Sequence, residues 1–163
     1  MLTVKSQKGV GLIEVLVAGL ILAIGVLGIA GLQSFGLKHN SSSYERTQAT
    51  MLALDVFDRM RTNQTAADSG QYDYDGTTLE LPAKTCETVA EQCSSAELAT
   101  ADLYEWSNQV ADALPAGSAL VTRDPVNTNI ITATIRWVDE RVEEPGIACG
   151  EDGIVCLAIT TDL

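Results

Sequence analysis

An apolar run near the start of the chain is its most pronounced hydrophobic pattern. Residues 15–32 are 18 in number, and every one of them is apolar or glycine. A helix of about 20 apolar residues is long enough to span the hydrocarbon core of a bilayer. The pattern predicts a transmembrane stem over residues 10–37, in which Glu14 is the one charged residue.

The polar segment that follows the run has an amphipathic pattern. Over residues 38–61, apolar residues recur at the three- and four-residue spacing of a helix face, which predicts that the helix continues and packs on a sheet. Met51 and Leu54 lie outside this stripe. They are either ordinary exposed residues or contacts to neighbouring subunits, and the sequence leaves both open. The stripe consists of Ala49, Leu52, Ala53, Val56, Phe57 and Met60.

Residues 62–100 form a predicted connecting region of variable character, with one possible short strand at 77–81. Asp73, Asp75 and Gly76 lie in it, but their spacing does not match a calcium loop, so we expect a solvated acidic turn and no metal site. A second helix is predicted over 102–114. Asp102 and Glu105 have the spacing of a capping box at its start, and residues 115–117, Pro-Ala-Gly, end it.

The end of the chain has the pattern of β-structure. Strands are predicted at 118–122, 129–138 and 153–161, because these stretches are rich in β-branched residues and partly alternate. Together they form a C-terminal sheet within residues 118–163. The expected fold class is α+β: a long N-terminal helix packed on a small antiparallel sheet of about three strands, with one shorter helix.

Charge and composition exclude several classes of function. Asp and Glu number 22 against 10 Lys and Arg, giving a net charge of −12, which argues against direct nucleic-acid binding. The only histidine is His39, and no nucleophile–base or paired-carboxylate arrangement is evident. We therefore expect neither an enzyme nor a cofactor.

Four cysteines occur as two pairs with six intervening residues each, Cys86 with Cys93 and Cys149 with Cys156. Structural zinc sites favour shorter spacing, so disulfides in an oxidising compartment such as a periplasm are the better interpretation. Four cysteines allow three connectivities. We favour pairing within each local pair.

Two lysines, Lys5 and Lys8, and no acidic residue precede the predicted stem, which begins at residue 10. By the positive-inside rule, the N-terminus is cytoplasmic and the head, residues 38–163, lies on the other side of the membrane. A cleaved secretory signal is an alternative, but the run is long for one and no A-x-A site follows at 33–37. A plain membrane anchor is the other alternative.

Glu14 needs an explanation within this segment. A carboxylate costs about 2.5–3.5 kcal/mol at the centre of a membrane helix and less near its edge, where Glu14 lies. The 11 Leu, Ile and Val residues of the run each contribute roughly 0.3–0.6 kcal/mol in favour of insertion. Insertion is therefore favourable, but the retention of the charge is not explained by anchoring alone.

Residues 8–14, Lys-Gly-Val-Gly-Leu-Ile-Glu, resemble the processing site of the type IV pilin superfamily. The resemblance implies that prepilin peptidase removes a basic leader, residues 1–9, by cleavage between Gly9 and Val10, and that Val10 is then N-methylated. It also implies that Glu14, the fifth mature residue, pairs with the amino terminus of a neighbouring subunit and sets their registry. The family usually has Phe at the position of Val10 and Thr or Ser at that of Gly11.

Further scattered matches resemble the minor pilins of this superfamily. They imply a tip complex that primes pilus assembly and supports surface display, twitching motility and adhesion. The implied partners are other minor pilins, the major pilin, prepilin peptidase, the inner-membrane assembly platform and membrane lipid, with the protein first in the inner membrane and later in the pilus. Two alternatives remain, a minor pseudopilin of type II secretion and a membrane-anchored periplasmic binding or adhesion module. The matches are at 31–33, 58–63, 102–103, 106, 114–115 and 135–137.

Overall fold

The computed structural model describes residues 11–88, 90, 92–139 and 153–163. Within these ranges, three α-helices are followed by three strands, which makes the fold α+β, as predicted. The chain divides into two compact units, residues 1–41 and residues 42–163. The elements are α1 (Leu12–Thr62), α2 (Gln64–Asp68), α3 (Ser95–Ala113), β1 (Ser118–Arg123), β2 (Ile130–Val138) and β3 (Ile154–Asp162).

The three strands form one antiparallel sheet in the order β1-β2-β3. Ala133 of the central strand pairs with Val121 of β1 and with Ile159 of β3. Side chains of β2 alternate between the two faces of the sheet, as expected for one covered face. The residues of β2 that are buried on the inner face are Ile131, Ala133, Ile135 and Trp137.

Helix α1 supplies the head with the apolar face that its sequence pattern predicts. Leu52 is half-buried, whereas Met51 and Leu54, which fall outside the pattern, are 60% and 47% exposed. This face, the inner face of the sheet and one face of α3 form a single core. The α1 residues that are fully buried in it are Ala49, Ala53, Val56, Phe57 and Met60.

Helix α3 begins at Ser95, seven residues before the predicted start, so the predicted start at Asp102 is wrong. Its capping box consists of Ser94 and Glu97: the Ser94 hydroxyl accepts from the Glu97 amide at 3.3 Å, and the Glu97 carboxylate accepts from the Ser94 amide at 2.8 Å. The predicted box of Asp102 and Glu105 is likewise wrong. Asp102 and Glu105 lie inside α3, and their side chains contact Arg59 of α1.

The end of α3 requires a glycine. The helix ends at Ala113, Ala116 adopts a left-handed φ of 49°, and the amide of Gly117 donates to the carbonyl of Leu114 at 2.9 Å. A Cβ at Gly117 would lie 2.2 Å from the carbonyl oxygen of Val110. No side chain fits at position 117 without movement of the backbone.

The predicted connecting region is more ordered than expected. It contains α2 and the first turns of α3, while residues 77–81 form no strand, which corrects that prediction. Tyr74 makes the only sheet-like contact of this part of the described chain, an isolated bridge to Val121 in which each amide donates to the other's carbonyl at 2.8–2.9 Å. Pairing stops there because Asp75 turns the chain by accepting from the amide of Thr77 at 3.0 Å.

Candidate functional site: an exposed apolar helix with one carboxylate

In the unit of residues 1–41, helix α1 exposes its apolar side chains on every side. Every Leu, Ile and Val from Leu12 to Leu37 is exposed, from 49% at Val17 to 83% at Leu12. By length and composition this helix is suited to cross a membrane. An apolar surface of this extent marks a contact with lipid or protein, because soluble monomers seldom expose one.

Glu14 is the third residue of α1 and the acidic residue of its first turn. Its amide donates to the carbonyl of Gly11 at 2.9 Å, which closes the first turn. Its side chain is exposed and makes no hydrogen bond or ion pair with the residues that the structure describes. A carboxylate at this end is favoured by the helix dipole, but none of the residues that the structure describes supplies it with a cation there.

The predicted processing site precedes this helix. Lys5, Lys8, Gly9 and Val10 lie outside the described residues, so the structure does not place the cleavage bond or the methylation site. Gly11 is the first described residue, and it leads directly into α1. The predictions for these four residues therefore stay predictions.

Five glycines interrupt the apolar surface of α1. The sequence leaves open whether they are merely tolerated in a membrane helix or allow close helix packing. A Cβ built on any of them would meet nothing within 4 Å. Packing among the described residues therefore gives no reason for glycine at these positions, which are Gly19, Gly25, Gly28, Gly31 and Gly36.

In the unit of residues 42–163, a polar cluster joins α1 to α3. Arg59 of α1 donates through Nε to Asp55 at 2.8 Å and through Nη1 to Asp102 at 3.3 Å and Glu105 at 2.9 Å. Burial by itself would lower the pKa of Arg59, but the hydrogen bonds that Arg59 donates to Glu105 and Asp55 outweigh it and raise that pKa. The same contact with Arg59 lowers the pKa of Glu105. One arginine thus neutralises carboxylates on two helices.

Asp102 extends this cluster to the connecting region. The Tyr72 hydroxyl donates to its carboxylate at 2.5 Å and accepts from the Asn63 amide group at 3.3 Å. Asn63 also donates to the carbonyl of Ser95 at 2.8 Å, although it is only 6% exposed. Burial, followed by the hydrogen bond to Asp102, raises the pKa of Tyr72. The buried polar groups here are therefore satisfied by one another.

A tryptophan provides the second link between α1 and α3. Trp106 is fully buried, and its Nε1 donates to the carbonyl oxygen of Leu52 at 2.8 Å. Apolar spacing predicts the burial of Trp106 together with Leu103, Val110 and Leu114 on one face of the predicted helix 102–114, and all four are buried. The hydrogen bond itself has no signal in the sequence.

The predicted disulfide within the first local pair is confirmed, since Cys86 and Cys93 are bonded. Cys156 is also disulfide-bonded, while its predicted partner Cys149 lies outside the described residues. The bond between Cys86 and Cys93 ties the connecting region to the residue that precedes the N-cap of α3. It restricts the freedom of a segment that has little regular structure.

The acidic turn at residues 73–76 is built as a structural turn. Asp73 pairs with Arg123 at 3.3 Å, and Asp75 accepts from Thr77, which lowers the pKa of Asp75 through the hydrogen bond to that backbone amide. Within the described ranges, no three His, Cys, Asp or Glu side chains are arranged to hold a metal ion. These carboxylates are used in hydrogen bonds and an ion pair.

Comparison with known proteins gave no relative. No protein-family model, no curated protein and no solved structure matches the chain. Function is therefore inferred from the chain's own residues and geometry.

Proposed function

We propose that this chain is a minor pilin of the type IV pilus, of the kind called PilV or type IV pilus modification protein. It acts in a tip complex that primes pilus assembly and supports surface display, twitching motility and adhesion. Its partners are the other minor pilins, the major pilin, prepilin peptidase, the inner-membrane assembly platform and lipid. Before assembly it spans the inner membrane with a periplasmic head, and afterwards it is part of the pilus at the cell surface. The role requires no catalytic step.

One observation carries the proposal: Glu14 lies in the apolar part of α1, residues 12–37, where every Leu, Ile and Val side chain is exposed, and no described residue pairs with it. A simple anchor gains nothing from such a charge, which costs free energy in a bilayer. A subunit that leaves the bilayer for a protein assembly gains a partner for it. The position also matches the glutamate of the prepilin processing motif.

The proposed chemistry follows from cleavage between Gly9 and Val10. Cleavage frees an amino group at Val10, four residues before Glu14. The start of each mature subunit then carries the positive charge of this amino terminus close to the negative charge of the Glu14 carboxylate. In a low-dielectric filament core, the Glu14 carboxylate binds the amino terminus of the next subunit. A wrong stagger leaves both charges unpaired, which costs several kcal/mol and therefore selects one register.

The glycines and the exposed head residues support assembly as well. Gly25, Gly28 and Gly31 have open space around their backbone, and small residues let helices of neighbouring subunits approach closely. On the head part of α1, Met51 and Leu54 are exposed outside the core-facing stripe. We assign these two residues to contacts with neighbouring subunits, one of the two interpretations that the sequence leaves open.

Deletion of the gene tests the proposal against its nearest rival. We expect loss or strong reduction of surface pili and of twitching, with secretion of extracellular enzymes intact, and restoration by the intact gene. Loss of enzyme secretion with normal pili would instead identify a minor pseudopilin of type II secretion. Normal pili together with normal secretion would favour a membrane-anchored periplasmic binding or adhesion module.

A further inference from the structure

A groove runs along the outer face of helix α3, away from the core. One wall is a stripe of α3 from Ala101 to Asp112, in which residues three and four apart share one face. The other wall is formed by residues of the segment 81–87. The groove has a volume of about 410 Å³, which suits one or two side chains of a bound segment.

The lining of the groove combines apolar surface with negative charge. Leu81, Pro82 and Tyr104 supply an apolar region, and Leu81 is 76% exposed although it is a large apolar side chain. Glu87 and Asp112 line the same groove with Glu105, and none of the described residues that line it is basic. Glu105 is paired with Arg59, whereas Glu87 and Asp112 form no ion pair with the residues that the structure describes. An apolar region beside two such carboxylates favours an occupant that combines an apolar side chain with a cation.

Two bonds fix the wall opposite α3. The disulfide between Cys86 and Cys93 ties the 81–87 segment to the start of the helix. Lys84 forms an ion pair with Glu97 of α3 at 2.8 Å, so the one cation of that segment is engaged outside the groove. A groove whose walls are fixed in advance loses less conformational entropy when a segment binds.

We propose that this groove binds a segment of another protein in which a Lys or Arg side chain lies next to an apolar one. The apolar side chain packs on Leu81 and Tyr104, and the cation lies near Asp112 and Glu87. A second copy of this chain is disfavoured by its net charge of −12, and phosphates or anionic lipid are repelled by the lining carboxylates. The groove residues all lie in the unit of residues 42–163, so this interaction does not depend on the minor-pilin proposal.

The test uses the full chain in nonionic detergent micelles and a fluorescent 12-residue peptide of alternating Lys and Leu. One matched peptide carries Glu in place of Lys, and another carries Ser in place of Leu. Anisotropy titrations, with protein-free micelles as the blank, give the affinity of each peptide. We expect the Lys/Leu peptide to bind at least ~10-fold more tightly than either control, which corresponds to about 1.4 kcal/mol.

Variants locate the binding on the protein. Asp112→Lys combined with Glu87→Lys, and separately Leu81→Ser, are expected to weaken binding of the Lys/Leu peptide roughly 10-fold. Asp68→Lys changes an exposed acidic residue outside the groove; it is the control for the general loss of negative charge and should change binding less than ~3-fold. All four positions are exposed, and unchanged denaturant unfolding curves establish that each variant folds.

Three results would overturn the groove assignment. The first is equal weakening by Asp68→Lys, which indicates general attraction to an acidic surface. The second is equal binding of the peptide in which Glu replaces Lys. The third is the absence of saturable binding by any peptide up to millimolar concentration, which leaves the groove without the proposed occupant.

Discussion

Arg59 and Asp102 lie 43 residues apart in the sequence, yet the guanidinium of Arg59 donates to the carboxylate of Asp102 at 3.3 Å. The contact joins the helix that carries the apolar stem to the helix that completes the head core. Both side chains are mostly shielded from solvent, with 18% and 15% of their surfaces exposed. A solvent-exposed ion pair contributes little to stability, whereas breaking a mostly buried pair is costly. The Arg59–Asp102 pair therefore helps to determine which residues of the two helices meet.

Replacement of this arginine should destabilise the head. Arg59→Met keeps most of the apolar length of the side chain but leaves Asp102 and Asp55 without their cation. We expect a loss of about 2–3 kcal/mol in the free energy of unfolding. Both tryptophans, Trp106 and Trp137, lie in the head core, so fluorescence during denaturation of the full chain in micelles measures it.

Arg61 offers the matched control. It pairs with Asp58 at 2.7 Å, but the two side chains are 53% and 71% exposed. Arg61→Met should therefore cost no more than about 0.5 kcal/mol. Equal losses in the two variants would contradict the structural importance assigned to the Arg59 cluster.

The capping box of α3 predicts a specific acid sensitivity. The ion pair with Lys84, followed by the hydrogen bonds from Ser94, lowers the pKa of Glu97 from its ordinary 4.5 to about 2. A carboxyl whose pKa is lower in the folded chain stabilises it above pH 4.5, and this stabilisation is lost as the pH falls toward 2. Glu97→Gln should therefore be less stable than the parent at pH 6, with the difference shrinking between pH 4.5 and 2.

Urea unfolding at a series of pH values measures this difference. Glutamine can accept the capping hydrogen bonds but carries no charge, so the variant isolates the contribution that titrates. A difference that is independent of pH would contradict the pairing of Glu97 with Lys84.

The geometry of the turn after α3 predicts that a substitution at position 117 is destabilising, whereas one at the adjacent position 116 is tolerated. Gly117→Ala places a methyl group against the carbonyl of Val110 and should cost about 1–3 kcal/mol through overpacking. Ala116→Gly relieves a left-handed backbone but adds unfolded-state entropy, so its net effect should stay within about 0.5 kcal/mol. Thermal unfolding of both variants checks the pair, and a harmless Gly117→Ala would contradict the turn geometry.

Elements with a strong local pattern could be predicted from the sequence. The apolar run, the amphipathic stripe around Val56 and the three strands are each specified by the spacing of neighbouring apolar residues. The predicted strands agree with the structure to within one residue at each end. The pairing of Cys86 with Cys93 was predictable for the same reason, because the two residues are close in sequence.

Features that depend on tertiary contacts could not be predicted in this way. Ser94 with Glu97 and Asp102 with Glu105 have the same spacing, so pattern alone does not tell the true helix start from a contact in the middle of the helix. The deciding partner, Arg59, is more than 40 residues away. Asn63 and Tyr72 are buried for the same tertiary reason, in a region whose composition is typical of an exposed connection.

For the apolar stem, the proposal predicts that membrane insertion and assembly can be separated. Glu14→Gln removes the charge but keeps the shape, so the protein should still enter the membrane and be cleaved. Its recovery in sheared surface pili should fall at least ~10-fold, because the neighbouring amino terminus has no anion to bind. Glu14→Asp keeps the charge and serves as the control, with a smaller loss. Normal recovery of the Glu14→Gln protein in pili would contradict the proposal that Glu14 sets the registry between subunits.

The most direct test of the central claim is the intact mass and N-terminal sequence of the protein recovered from membranes of a peptidase-positive host. We predict a chain that begins at Val10 and is heavier by one methyl group, while a peptidase-deficient host yields the uncleaved form. A chain that remains uncleaved between Gly9 and Val10 in the peptidase-positive host would contradict the prepilin assignment. Glu14 would then be an unpaired charge on a simple membrane anchor.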